Sequence, residues 1–326
     1  SLAEDRGWRG HVTSADALNA IQPDVLQAQI DIVIVNWNTR ELLAWCLQSL
    51  YSTSNTPARL EVEDTCPSNL FFGPYCADVF VVDNASCDGS AQMVRKSFPW
   101  IHLIENSENV GFARANNQAI CQSCGRYILL LNSDTDVLPG ALETLVTFME
   151  AHPKAGAAGA RLLNADGTLQ PSCHPMLTLW REFGRLIFLD NLTHRATYRA
   201  EMWKVPTPQR VEVIKGACLL LRREALDQVG LLDESYFFYT EEVDLCYRLA
   251  QAHWHLWWVP AATVVHYGEA SSRQMAEAMY VQLYRSKIQF YRKFGGASRA
   301  NCYKRLLRLA YWPRLVVAVI GAIFSP

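Results

Sequence analysis

The sequence predicts a doubly wound α/β fold: a mixed, mostly parallel sheet flanked by helices, with a helical tail at its C-terminal end. Two observations carry this. Short apolar, β-branched runs alternate with longer helical patterns, as in strand–crossover–strand units. Each run ends abruptly in Asn, Asp or Ser, and open α/β sheets gather their function at strand carboxyl ends. The 326 residues, half of them hydrophobic and 19% charged, suffice for one large domain or two small ones.

Residues 1–29 read as an N-terminal extension, weakly helical from Ser14 to Gln29. Ile30 to Val35 is the first strand and ends in Asn36-Trp37-Asn38. Thr39 is placed to cap a helix running through Leu50, with Glu41 in its first turn. Residues 54–77 are rich in Pro, Asn and Cys and read as an inserted surface loop. Val79 to Val82 is a second strand, ending in Asp83-Asn84-Ala85-Ser86, and Asp88-Gly89-Ser90 opens a helix. A third strand spans Ile101 to Ile104. Asn109-Val110-Gly111-Phe112-Ala113-Arg114-Ala115-Asn116-Asn117 then offers close backbone approach at glycine and donors suited to phosphate or ribose oxygens. The fourth strand, Tyr127 to Leu131, delivers Asn132-Ser133-Asp134-Thr135-Asp136. Two carboxylates one residue apart are hard ligands for Mg²⁺ or Mn²⁺, although alone such a pair is as well explained by a solvated turn.

The second half continues the alternation. A helix from Pro139 to Ala151 leads into a strand of small residues, Ala155 to Leu163. Asn164-Ala165-Asp166-Gly167 is a turn into a hairpin through Leu169-Gln170-Pro171. Leu177 to Leu192 is an amphipathic helical stretch, and Lys215 to Arg222 is a strand containing Gly216-Ala217. Glu241-Glu242-Val243-Asp244 begins another helix, in which Asp244 and Arg248 are spaced for an i,i+4 ion pair. Val264-Val265-His266 closes a tryptophan-bearing strand in which Trp254, Trp257 and Trp258 suit core packing better than sugar stacking. Gln274 to Phe294 is a long closing helix.

Bulk properties exclude several classes. A formal net charge of −2 argues against a nucleic-acid binder. Ten scattered cysteines fit reduced thiols in the cytoplasm, and no signal peptide is visible. Cys121-x-x-Cys124, with Cys66 and Cys76, is a conceivable metal or redox group, but its helical setting favours ordinary buried thiols.

Four segments stand in a family order: Val35-Asn36-Trp37-Asn38, Val82-Asp83-Asn84-Ala85-Ser86-x-Asp88-Gly89-Ser90, Asn109-Val110-Gly111-Phe112-Ala113, and Leu131-Asn132-Ser133-Asp134-x-Asp136. The chain resembles glycosyltransferase family 2, in its bacterial rhamnosyltransferase-like branch with the GT-A fold, across residues 30–295. The resemblance implies a donor site built from Val35, Asn36, Asn38, Asp83, Ser86, Asp88, Asn109, Gly111, Arg114, Asn117 and Asp134. Within it, Asp83 reads the nucleobase. It implies a divalent metal ion, Mn²⁺ or Mg²⁺, held by Asp134, Asp136 and His266, with Asp136 the surer ligand. Gly216 and Ala217 flank the acceptor, and the general base is Glu242, with Glu241 ranked second. The expected partners are a nucleotide-sugar donor and a glycan or lipid-linked glycan acceptor, with dTDP-rhamnose the leading donor. UDP- or GDP-sugars are the alternatives, and a catalytically silent glycan- or nucleotide-binding module is the competing reading from another class. Gln282-x-x-Arg285 lacks the tryptophan of processive synthases.

The tail, residues 296–326, mixes Lys304, Arg305, Arg308 and Arg314 with aromatic and aliphatic side chains. Its apolar run, Leu315 to Phe324, is shorter than the roughly 20 residues that a bilayer span needs. A basic helix with an apolar face suits peripheral contact with an anionic membrane, which implies a location at the inner face of the cell membrane. A helix docked on the domain is the alternative.

Overall fold

The computed structural model describes residues 30–55, 70–187, 196–268 and 276–324, with side chains through residue 312. The extension over 1–29, most of the inserted loop with Cys66, the end of the Leu177–Leu192 stretch and the segment just after Gly268 lie outside the described residues.

The sheet is mixed and mostly parallel at its centre, as the alternation predicts. Its main path is β10 (Gln209–Arg210), β13 (His255–His266), β7 (Ala155–Leu163), β12 (Cys218–Arg222), β5 (Tyr127–Asn132), β1 (Ile30–Asn36), β3 (Tyr75–Asp83) and β2 (Leu70–Phe72). β1 pairs parallel with both β3 and β5, while β12 runs antiparallel between β5 and β7. β4 (His102–Glu105) joins β3, β6 (Thr135–Val137) joins β13, and β8 (Leu169–Gln170) returns onto the end of β7. A separate ribbon pairs β9 (Cys173–His174) with β11 (Val213–Ile214).

Two buried clusters lie on the two faces of this sheet. One packs α1 (Arg40–Thr53) and α4 (Ala141–Ala151) against Ile32, Ile34, Leu129 and Leu131. The other packs α3 (Phe112–Gln122) and α7 (Glu241–Gln251) against Val33, Ile128 and Leu130. Alternate residues of β1 and β5 therefore serve opposite layers, which explains why both strands read as continuous apolar runs. The remaining helices are α2 (Ser90–Ser97), α5 (Leu179–Leu186), α6 (Arg223–Val229) and α8 (Ala276–Phe324), the last broken at Gly296 with φ 71°.

Several elements differ from the sequence reading. Residues 70–77 leave the supposed loop and form the β2–β3 hairpin, with Leu70 and Phe72 buried at the sheet edge. Thr39 occupies the N-cap position, but its hydroxyl turns inward to Asn36 Oδ1 at 2.6 Å and Ser133 Oγ at 2.9 Å. Cys121 and Cys124 are exposed rather than buried. Trp258 is fully buried, edge-on to Trp203 at 5.0 Å between ring centroids, as the core reading required. The second limb of α8 docks on the domain through Ala300 and Tyr303, both buried. Among the described residues no helix is long and apolar enough to cross a membrane.

Small residues in β7 are a packing requirement. A Cβ on Gly159 would run into Ile214 Cγ2 on β11, and that side chain is itself buried. Gly159→Ala is expected to destabilise the fold by about 1–3 kcal/mol, through overpacking alone. A urea melt of the variant that matches the native midpoint would remove this account of β7.

Candidate active site

The topology brings one set of strand ends to a single edge. β1, β3, β4 and β5 are parallel, and β12, antiparallel to both β5 and β7, makes β7 and its parallel neighbour β13 point the same way. Asn36, Asp83, Asn132 and His266 therefore end their strands at one edge, where Ala217 precedes β12 and accepts Asn132 N at 3.0 Å.

On the β1–β3 side, the side chains expected to hold a donor are knitted to one another. Asn36, fully buried, donates through Nδ2 to Asp83 Oδ1 and Ser86 Oγ, each at 3.1 Å. Asp83 Oδ2 accepts Ser86 N at 3.0 Å, and Ser86 Oγ also accepts Asn38 N at 2.9 Å. Asn38, at φ 52°, accepts Cys87 N through Oδ1 at 2.7 Å. Val35 is half-buried against the second core cluster. Asn84, which the sequence reading left without a role, ties this loop to the next. It donates to Asn109 Oδ1 at 2.8 Å and accepts Val110 N at 3.0 Å.

Four expected donor residues are engaged within the protein. Asp88 clasps the starts of two helices: Oδ2 accepts Arg40 N at 2.8 Å, and Oδ1 accepts Ser90 N at 3.0 Å. Burial raises its pKa, but these bonds and the Ser90 hydroxyl outweigh burial and hold it below the ordinary value. Asn117 uses both ends of its amide on Leu232, donating to the carbonyl at 2.8 Å and accepting the N–H at 3.2 Å. Arg114 is exposed and lies 3.9 Å from Glu234. Gly111, at φ 86°, makes room for protein, since a Cβ there would sit 2.6 Å from Phe237 O. The common reason is that a polar residue at a strand end or helix start is also the nearest partner for orphaned backbone groups.

At the end of β5, Asp134 and His266 converge. Asp134 Oδ1 lies 3.2 Å from His266 Nε2, and Tyr267 N donates to Asp134 O at 2.9 Å. Both side chains are largely buried. His266 Nδ1 meets Gln170 Oε1 at 2.6 Å, a partner that the sequence reading did not assign. Asp136 does not join them. β6 turns Thr135 inward onto Asn132 O and Cys46, so the alternation of the strand carries Asp136 to the other side, across from Val265. Asp134 is thus the carboxylate that meets His266 in this structure, although the resemblance ranked Asp136 ahead of it. Among the described residues no three His, Cys, Asp or Glu side chains form a metal-binding group. The pair nevertheless fits a divalent ion. A carboxylate oxygen and an imidazole nitrogen about 3 Å apart have the separation of neighbouring ligands on one octahedral ion, and such ions take remaining ligands from water or substrate phosphate.

The acids of α7 are the second centre. Tyr239 and Thr240 are both left-handed, at φ 67° and 73°, and set Glu241 and Glu242 at the first turn of the helix. Each has a buried Oε2 without a hydrogen-bond partner. Burial and the Glu242 charge raise the Glu241 pKa well above the ordinary value. Burial also raises that of Glu242, against the pull of backbone N–H groups at the helix start and of Lys215. Lys215 adjoins Gly216 and Ala217, so the strand beside Asn132 also reaches the acids. Asp244 is the structural residue its spacing implied: Oδ1 accepts Arg248 Nε at 2.6 Å, and Oδ2 accepts Lys293 Nζ at 2.7 Å.

Comparison with known proteins agrees with this geometry. The family described as "Glycosyl transferase family 2" matches residues 31–230. The N-acetylglucosaminyl-diphospho-decaprenol L-rhamnosyltransferase of Mycobacterium tuberculosis is 33% identical over 203 residues, covering 58% of this chain and 66% of that one, just under two thirds of its length. The low-salt glycan biosynthesis hexosyltransferase Agl10 of Haloferax volcanii is 25% identical over 240 residues, covering 72% of this chain and 71% of that one. Among solved structures, the mannosyltransferase PcManGT of Pyrobaculum calidifontis, in complex with GDP-Man and Mn²⁺, superposes with a TM-score of 0.50. It is 17% identical and covers 90% of this chain and 79% of that one, a likeness of fold. The fold is GT-A, and the chain belongs to glycosyltransferase family 2, in a rhamnosyltransferase-like branch.

Proposed function

We propose that the protein is an inverting, metal-dependent glycosyltransferase. It moves one sugar from a nucleoside diphosphate to a hydroxyl of a glycan or lipid-linked glycan during cell-surface polysaccharide synthesis. The observation that carries this reading is the approach of Asp134 Oδ1 to His266 Nε2 at 3.2 Å, on the strand-end edge that also holds Asp83. The name of the mycobacterial relative supports rhamnose as the sugar and a diphospho-lipid glycan as the acceptor.

Asp134 and His266 would hold the divalent ion, which when bound supplies positive charge to the departing diphosphate. Asp83, fixed by Asn36 and Ser86, has carboxylate lone pairs left to accept the imide N–H of a uracil or thymine base. Glu242 accepts the proton of the acceptor hydroxyl as that oxygen attacks the anomeric carbon and the bond to the diphosphate breaks. A raised pKa makes Glu242 a stronger base than an ordinary carboxylate, and its unpartnered oxygen is free to take the hydroxyl hydrogen. One displacement with one base inverts the anomeric centre and needs no covalent sugar–enzyme intermediate.

The tail suits an anionic membrane. Arg305, Arg308, Leu309 and Trp312 are exposed at helical spacing along one face, opposite the docked Ala300 and Tyr303. This supports a location at the inner face of the cell membrane, where a lipid-linked acceptor would be met.

Each of these roles is open to measurement. Thermal unfolding with dTDP, UDP and GDP, each with and without Mn²⁺, should show a metal-dependent rise that is largest for dTDP. Asp134→Asn should abolish the rise and Asp136→Asn should leave most of it; the reverse order would return the ion to Asp136. Glu242→Gln should keep the thermal shift and lower transfer by at least about 100-fold. Only the deprotonated base acts, so the raised pKa places the acid limb of the native pH–rate profile above the ordinary glutamate value of 4.5. Removing the Lys215 charge should move that limb to higher pH, and an unmoved limb in Lys215→Met would take the base role from Glu242. Replacing Arg305 and Arg308 by Glu and Trp312 by Ala should reduce co-sedimentation with phosphatidylglycerol vesicles, and undiminished binding would rule out this face as the anchor.

A further inference from the structure

The β7–β8 hairpin reaches His266 with a hydrogen-bond chain whose direction is fixed at both ends. Gln170 Nε2 lies 3.2 Å from His266 O and 2.9 Å from Asn164 Oδ1. A backbone carbonyl can only accept, so the amide nitrogen of Gln170 must face it and Oε1 must face His266 Nδ1, 2.6 Å away. The other end agrees. Asn164 Nδ2 donates to Thr168 Oγ1 at 2.9 Å, and Thr168 Oγ1 donates to Asp166 Oδ1 at 2.6 Å, an oxygen that also takes Thr168 N at 2.9 Å. From Asp166 inward, each group has one allowed role, and the last is Oε1 of Gln170 as an acceptor.

We propose that Gln170 is a positioning residue that holds His266 as its Nδ1–H tautomer and leaves Nε2 as an acceptor, 3.2 Å from Asn132 Nδ2 and 3.2 Å from Asp134 Oδ1. Asn132 Nδ2 meets Nε2 in this structure, and two acceptors 3.2 Å apart repel, so a cation between Nε2 and Asp134 Oδ1 would relieve that repulsion and the clamp prepares the pair to hold one. Gln170 fixes both the ring and the backbone carbonyl of His266, which sets the aim of Nε2 as well as its protonation. A hydrogen-bonded outer partner of this kind orients metal-binding histidines and raises their basicity. The hairpin thereby becomes part of the cation site, though none of its residues is a ligand. For the cation, the inference rests on the metal-dependent reading above; for the tautomer, it does not.

The test joins two measurements on the full chain. Long-range ¹H–¹⁵N spectra of metal-free, histidine-labelled protein at pH 8 should show His266 protonated on Nδ1, and that pattern should be lost in Gln170→Leu. Free Mn²⁺ counted by electron paramagnetic resonance should show binding about tenfold weaker in Gln170→Leu. Gln170→Glu, whose carboxylate still accepts from Nδ1–H, should bind within a few-fold of native. Circular dichroism and the melting temperature of each variant check that the fold is kept. An Nε2–H or doubly protonated ring in the native protein at pH 8 overturns the proposal whatever Mn²⁺ does. Native-like Mn²⁺ binding in Gln170→Leu, or equal loss in the Leu and Glu variants, overturns the clamp. A native Nδ1–H ring that Gln170→Leu releases, in protein that binds no Mn²⁺, upholds the clamp and rejects the metal-dependent reading instead.

Discussion

The hydrogen bond from Phe112 N to Phe237 O, 2.8 Å long, joins the two halves of the site. It exists because residue 111 is glycine, whose missing Cβ leaves room for the Phe237 carbonyl. Phe112 packs edge-on to Phe238, and from the other side Ser286 Oγ donates to Phe238 O at 2.8 Å. The segment before the acids is thus gripped from the nucleotide side and from α8 at once. That grip permits two consecutive left-handed residues, Tyr239 and Thr240, neither of them glycine. Such conformations cost about 1–3 kcal/mol each and persist only where surrounding contacts determine them.

α8 extends the same logic with buried charge. Lys293 binds both Asp233 and Asp244, while Gln289 reaches Ser235, so one helix face tracks the loop from 233 to the acids. One turn away, Glu182 accepts Lys287 Nζ and Tyr303 OH, each at 2.9 Å, and pairs with Arg185 at 2.9 Å. Burial raises the Glu182 pKa, but Lys287 and Arg185 outweigh burial and bring it down to about 2. Tyr303 lies beyond the Gly296 break, so this carboxylate ties both limbs of α8 to α5. A buried ion cluster adds little net stability but is costly to leave half-made, which favours a single docking of the helix.

The sheet was legible in the sequence because its signal is local. Apolar runs such as Tyr127 to Leu131 and the small-residue strand Ala155 to Leu163 are set by burial on both faces, and the latter appears with the bounds read from sequence. The i,i+4 spacing of Asp244 and Arg248 is likewise a property of one helix. What escaped was long-range. Gln170 meets His266 across 96 residues of chain, and Asn117 meets Leu232 across 115. Nothing local marks which polar side chain at a strand end will be claimed by backbone from elsewhere. Motif order picked out loops that meet at one strand-end edge, while the inward turn of Asp88 and Asn117 and the place of Asp136 across from Val265 depended on neighbours that only the fold supplies.

Completeness of hydrogen bonding separates scaffold from chemistry in this site. Asn36, Ser86, Asp88 and Asn117 are buried or half-buried, and the polar atoms that shape their loops have partners within the protein. Those bonds hold backbone and neighbours in place. Glu241 and Glu242 are the contrast, each with a buried oxygen left without a partner and a pKa raised by burial. A buried polar atom without a partner costs about 1–3 kcal/mol, and two adjacent carboxylates add repulsion to that. The sign of the linkage follows: the folded state keeps protons on these acids that the unfolded chain has lost, so they reduce stability as pH rises above the ordinary carboxylate range. A fold that spends strain at Tyr239 and Thr240, and a grip from Gly111 to Ser286, to keep such a pair in place gains nothing in stability from it. The same two unpartnered oxygens are the acceptors on which the proposed base role rests.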